Sequence, residues 1–196
     1  VQTAGQALAT STLSLQGDSL DLSQSRQQAP ALKLQASAGD FKATDSQLLA
    51  SDLLLVQTPQ ALITDGAKVQ AGTLSLNAHS LSNVAGQIVQ TGTTDQTIAL
   101  QGGMNNRAGI IQSGANTLSI SAQSIDNTAG QLLHTGTGSL QLTSQGQLFN
   151  NTQSSAQAAV ADGARIVSTG ALNISSGQMD SSGSVYAAKD LSIQAS

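Results

Sequence analysis

Residues 73–92 read TLSLNAHSLSNVAGQIVQTG and residues 117–136 read TLSISAQSIDNTAGQLLHTG, identical at eleven of twenty positions without a gap. Both open on an alternation of apolar and polar residues, the period of a half-buried strand. Outward from these two stretches, the same apolar-x-apolar start recurs at Leu13, Leu32, Leu53, Leu74, Ile98, Leu118, Leu140, Leu172 and Leu191, at intervals of 19, 21, 21, 24, 20, 22, 32 and 19 residues. A period in this range marks a solenoid, in which a short unit hides its apolar side only by stacking on its neighbours.

Each unit divides into three pieces. The first is the alternating strand, as at 73–76, 97–100, 117–120, 139–142 and 171–174. The second is an apolar residue followed by polar ones: Leu81-Ser82-Asn83, Met104-Asn105-Asn106, Ile125-Asp126-Asn127, Leu148-Phe149-Asn150 and Met179-Asp180-Ser181. The third follows Gly86, Gly109, Gly130, Gly163 or Gly183, glycines expected to supply a positive φ at a tight corner. Three short strands and three corners use about twenty residues, which is one rung of a parallel β-helix. Nine rungs rising about 4.8 Å each give an all-β rod roughly 43 Å long, expected as one elongated body over residues 1–196. Asn83, Asn106, Asn127 and Asn150 recur at one place in successive units, so they are expected to form a column whose amides bond along the rod and to corner backbone.

Composition supports strands over helices and order over disorder. Ser, Gln and Gly number 71 of 196 residues and only 9% of the chain is charged, yet Leu, Ile, Val and Phe number 45 and keep a register. Net charge is only -4, so neither self-repulsion nor a shortage of apolar residues prevents a core. There is no Glu and little Lys or Arg, which removes the usual material of exposed helices. Without Cys there is no disulfide framework or thiolate metal site. No apolar run reaches the 18 residues of a membrane helix, and Val1 does not open a signal sequence. The repeat runs to both ends without a polar cap. A segment of a longer protein is therefore expected, with terminal rungs prone to end-to-end association when exposed.

The 32-residue interval places an insertion between Asn150 and Arg165, either a polar loop or a short helix. Insertions in repeat proteins often lie on a functional face, which makes Ser154, Gln157 and Asp162 candidates for partner binding. A second candidate is a loop over residues 24–30.

The order of an LSL- or LSI-type strand, then Leu/Ile-x-Asn, then Ala-Gly-Gln-Ile/Leu resembles the haemagglutinin repeats of filamentous haemagglutinin. The match is strongest over 73–136 and looser to Ser196; residues 1–72 keep the period but lack Asn-x-x-Gly. The resemblance implies a right-handed β-helical stalk of a two-partner secreted exoprotein, a class that includes adhesins and contact-dependent growth inhibition proteins. It also implies a bacterial cell-surface location and an outer-membrane transporter as partner during export. Separately from the resemblance, a target-cell receptor or glycan bound through the loops is a candidate partner.

Asp126 and Asp180 lie two rungs apart, about 9.6 Å, near the upper limit for an inverting carboxylate pair, but equivalent positions hold Ser82, Asn105 and Phe149, which reads as a variable exposed face and makes a polysaccharide lyase or hydrolase the least favoured reading. His79 and His134 each exchange with Gln in the repeat, which reads as a solvated polar edge. Gly102-Gly103 lacks the acidic residues of a calcium-binding β-roll turn, and Gly136-Thr137-Gly138 lacks the lysine of a phosphate loop. A pI of about 4.7 with scattered basic residues gives no support to a nucleic-acid reading. No metal or other cofactor is expected, and the segment itself is not expected to enter a membrane. Phe41 and Phe149 are expected to fill the interior or a corner, Tyr186 to lie on the surface, and Arg26, Lys33 and Lys42 to form a loose solvated cluster. The leading expectation is a non-enzymatic stalk that presents adhesive or toxin modules; a receptor- or glycan-binding segment acting through its loops is the alternative.

Overall fold

The computed structural model describes residues 5–152 and 163–196. Among them there are twenty-two strands and no helix, and all the strands join one continuous parallel sheet. The sheet winds through about nine turns, and each turn lays down one strand on each of three faces. Face A runs from Thr12–Gly17 to Leu191–Ala195, face B from Leu20–Asp21 to the end of Ala171–Asp180, and face C from Gly5–Leu8 to Ser184–Ala187. The all-β parallel solenoid that the period predicts is the fold. Four long strands continue around a corner: Ser25–Ala36 and Gln47–Gln57 pass from C to A, Ser139–Phe149 and Ala171–Asp180 from A to B. Their registers shift where they bend, between Ala29 and Ala31 and between Ser144 and Gln147.

Alternation buries every second residue, and parallel pairing stacks like on like. Face B sends Leu20, Phe41, Leu62, Leu81, Met104, Ile125 and Leu148 inward, and face C sends Leu48, Val69, Ile88, Ile111, Leu132 and Ile166 to meet them. All are buried, and each removes enough apolar surface from water to contribute about 1.5–3 kcal/mol. No rung could keep that surface dry alone, which is why the period and the fold are the same statement.

The in-register column on face A differs from the sequence expectation at two rungs. Leu32 pairs with Leu54, not Leu53, and Leu54 and Val56 face the core while Leu53 and Leu55 are half-exposed. In the run Leu53-Leu54-Leu55-Val56 no polar residue marks the outer side, and a one-residue slip exchanges the faces. At the other rung Ile98 pairs with Leu76 and Ile120, so the start of the unit is Gln96, in register with Leu118, rather than Ile98. Gln96 is 2% exposed among leucines, and neither its Oε1 nor its Nε2 has a hydrogen-bond partner.

An unpartnered buried amide costs roughly 1–3 kcal/mol. Gln96→Leu is therefore expected to raise stability by about that amount, read as a higher urea midpoint at constant m-value. A lower midpoint would mean that the amide has a partner, such as an enclosed water.

Phe41 is in the core, but Phe149 is not: it is half-buried on the outer side of face B, because Leu148 takes the inward place of that strand. Of the expected loop at 24–30, only Gln24 is a corner residue, with φ 56°, and residues 25–30 are strand; Ser25, Gln27 and Ala29 alternate inward in Ser25–Ala36. The insertion, with Ser154, Gln157 and Asp162, lies outside the described residues. The chain leaves the end of face B at Asn150 and returns to face C at Arg165.

Candidate functional site

The corner between faces B and C holds the four asparagines in one column, all at 0% exposure. Pairing places Thr64 before them and Ser181 after. The Thr64 hydroxyl donates to Asn83 Oδ1 at 3.0 Å. Asn83 Nδ2 then donates to Asn106 Oδ1 at 2.8 Å, Asn106 Nδ2 to Asn127 Oδ1 at 2.8 Å, and Asn127 Nδ2 to Asn150 Oδ1 at 2.9 Å. Asn150 Nδ2 ends the chain on Ser181 Oγ at 3.1 Å. The remaining N–H of each inner amide faces corner carbonyls, as with Asn106 to Gly109 O and Gln131 O at 3.2 and 3.3 Å. Every amide dipole points the same way along the rod, so the bonds polarise one another.

The corner glycines have a different role from the one expected. The positive φ belongs to the preceding alanines, 54° at Ala85, 54° at Ala108 and 56° at Ala129, and not to Gly86, Gly109 or Gly130. What the glycines provide is room. A Cβ at Gly109 would collide with Asn83 O and come within 2.7 Å of Asn106 Oδ1; at Gly130 it would collide with Asn106 O and come within 2.7 Å of Asn127 Oδ1. At Gly86 it would collide with Thr64 O and Asn83 Oδ1. Asn-x-x-Gly is thus one device, with the inward amide taking the space that a Cβ would occupy. Where the column holds Leu22 and Ala43 instead, Ser25 and Ser46 stand at the glycine position and donate to Leu22 O and Ala43 O. Gly163 is not in the corner column. Gln131 pairs with Arg165, so Ala164 takes that place, since the corner there is reached through the longer connection; Gly183 does belong to it.

His134 is buried at 0% exposure, contrary to its reading as a solvated edge. Its Nδ1 lies 2.9 Å from Ser168 Oγ, and its Nε2 lies 2.8 Å from Ala115 O and 3.1 Å from Asn116 O. Carbonyl oxygens only accept, so Nε2 carries a proton. Gln90 occupies the same inward column: Nε2 donates to Thr94 O at 2.5 Å while Oε1 accepts from Leu74 N at 2.9 Å. Gln and His exchange here because both reach the carbonyls of the corner between faces C and A. With Ser113 and Ser168 they make a second internal polar column, which the sequence reading missed. The exchange itself was its signal. His79, by contrast, is exposed.

On the outer side of face B, Asp126 and Asp180 both pair with Phe149, which stands between them. Asp126 Oδ2 lies 3.2 Å from Arg107 Nη1, and its Oδ1 accepts from Thr128 N at 2.9 Å. Asp21 forms a similar turn, and hydrogen bonds from Ser23 hold its carboxyl below the usual value. The carboxylates of Asp126 and Asp21 brace corners. Among the described residues no three His, Cys, Asp or Glu side chains gather around a common point. Arg26, Lys33 and Lys42 do not cluster, because the winding of the chain sends them to faces C, A and B respectively. Tyr186 is 56% exposed on face C.

Comparison with known proteins finds a relative that aligns with almost the whole chain. The chain is similar to Toxin CdiA of Yersinia pestis. Identity is 34% over 191 residues, 97% of this chain and 6% of that protein. The similarity to Toxin CdiA therefore includes the N-terminal rungs that lack Asn-x-x-Gly. No family model matches the chain, and no solved structure matches it.

Proposed function

We propose that the chain is a stalk segment of a secreted bacterial surface exoprotein, exported by an outer-membrane partner and holding adhesive or toxin parts away from the cell. The observation that carries this reading is the unbroken parallel ladder on three faces, combined with similarity to Toxin CdiA along 97% of the chain. Bending such a rod requires backbone bonds on at least one face to break together, so it transmits position without a catalytic group. Face A turns mainly Ser, Thr, Gln and Asn to solvent, as in Thr117–Ala122, which keeps the shaft soluble. No disulfide is needed, so the chain can pass a transporter extended and fold rung by rung.

Leu118 pairs with Leu140, so deleting residues 118–139 removes one whole rung and brings Leu140 into the place of Leu118. The stalk reading expects this deletion in the parent protein to preserve folding, surface display and delivery to a target cell. Deleting residues 118–128, about half a rung, should abolish display, because it puts non-equivalent faces in register. A whole-rung deletion that folds and is displayed but no longer attaches to target cells would overturn the stalk reading in favour of receptor or glycan binding.

A further inference from the structure

Among the described residues, one level of face A is joined more weakly than the rest. Thr73–Asn77 meets the preceding rung along its whole length, from Leu53 opposite Thr73 to Gln57 opposite Asn77, and Gln96–Ala99 meets the following rung from Gln96 opposite Leu118 to Ala99 opposite Ser121. The other levels of this face pair over comparable lengths. Between Thr73–Asn77 and Gln96–Ala99, only Ile98 with Leu76 and Ala99 with Asn77 are paired. The amide of Leu74 shows the break. At the equivalent place Leu172 N donates to Asp190 O of the next rung at 2.8 Å, whereas Leu74 N donates to Gln90 Oε1 at 2.9 Å, a side chain in place of backbone. Behind that gap lies Gln96, whose amide is buried without a partner. The wall is also less tight there: Leu74 and Leu76 keep 3% and 7% exposure, where Leu118 and Ile120 in the same columns have 0% and 1%.

The same level is fully bonded on the far side of the rod, at the corner between faces B and C. There Asn83 N donates to Asn105 O at 2.8 Å, Asn83 Nδ2 to Asn106 Oδ1 at 2.8 Å and Gln87 N to Ala67 O at 2.7 Å. On face C, Lys68–Ala71 pairs with Gln87–Gln90 from end to end. The two corners that flank face A keep backbone bonds, Gly92 N to Gly72 O at 2.9 Å and Gly102 N to His79 O at 2.8 Å, so the weakness is confined to the strands between them. A rung is held only by its neighbours, and a solenoid opens first where one such interface is weakest. Opening costs least where few ladder bonds break and an orphaned amide gains water. We infer that this seam is the yielding point of the rod. Thr73–Asn77 and Gln96–Ala99 part while the asparagine corner holds, so the shaft bends there with face A on the convex side.

Native-state hydrogen exchange of the 196-residue chain tests this without any substitution. Along the ladder, inward residues donate to the following rung, as Leu81 N does to Gly103 O, and outward residues to the preceding one, as Gln87 N does to Ala67 O. Leu76 N and Ala99 N therefore cross the seam, and Ile120 N and Thr143 N cross the equivalent place between the rungs of Leu118 and Leu140. After correction for local sequence, Leu76 and Ala99 should exchange at least tenfold faster than Ile120 and Thr143, while Asn83 and Gln87 stay as slow as that second pair. Gln96→Leu should close the difference, because it puts Leu on Leu in the column and leaves no amide to hydrate. Three results would overturn the inference: Leu76 and Ala99 as slow as Ile120 and Thr143; Asn83 and Gln87 as fast as Leu76 and Ala99, as detachment of a whole rung would give; or a difference that Gln96→Leu leaves unchanged. The stalk reading stands or falls separately, by the rung deletion.

Discussion

Asn106→Leu is expected to destabilise the rod by about 3–5 kcal/mol, although Leu is similar in size and the site is fully buried. The change removes an acceptor from Asn83 Nδ2 and a donor from Asn127 Oδ1, both at 2.8 Å, and the Gly109 and Gln131 carbonyls lose their amide contact as well. Each buried polar group left unpaired costs roughly 1–3 kcal/mol, and no water reaches a column at 0% exposure to repair the loss. Urea unfolding reads the effect. Asn106→Asp gives a distinct signature, because one carboxylate oxygen must then face Asn127 Oδ1. Burial without a counter-charge raises the folded-state pKa above the unfolded one, so the folded form binds the proton more tightly. Stability of that variant should rise as pH falls toward the carboxyl range, the opposite of the usual Asp. A loss below about 1 kcal/mol for Asn106→Leu would show the column to be no more important than exposed hydrogen bonds.

Gly109→Ala is the second large effect, with an expected cost of about 3 kcal/mol or more, the upper range for inserting atoms into a packed interior. The added carbon meets Asn83 O of the neighbouring rung, which accepts from Gly86 N in its own turn and cannot retreat without opening that corner. The adjacent position behaves in the opposite way. Ala108 has φ 54°, a region that glycine enters freely, so Ala108→Gly should be neutral or stabilising by up to about 1 kcal/mol. Thermal or denaturant midpoints of the two variants separate the roles of neighbouring residues. A mild Gly109→Ala and a destabilising Ala108→Gly together would return the corner to the conformational explanation.

Much of the architecture was legible because it repeats. Thr117–Ala122 and Thr73–Asn77 declare an alternating strand unaided, and Asn-x-x-Gly marks the same corner in three successive rungs. Where the local pattern is silent, the reading slipped. Leu53 to Val56 is apolar on both sides of the strand, and Gln96 hides a unit start behind a polar residue. His134 looked solvated because it exchanges with Gln, yet that exchange reports only shared reach toward carbonyls, and a buried corner offers those as well as water does.

By itself the sequence determined the period, the three-strand rung and the pairing of an inward amide with a glycine three residues later. These follow from nearest-neighbour stacking, where one unit must satisfy the next. Only the tertiary structure decided which side of an ambiguous strand is the core, and that glycine is required for space and alanine bears the strained φ. Each of these depends on atoms one rung away, some twenty residues distant in sequence, whose positions are set when the ladder closes.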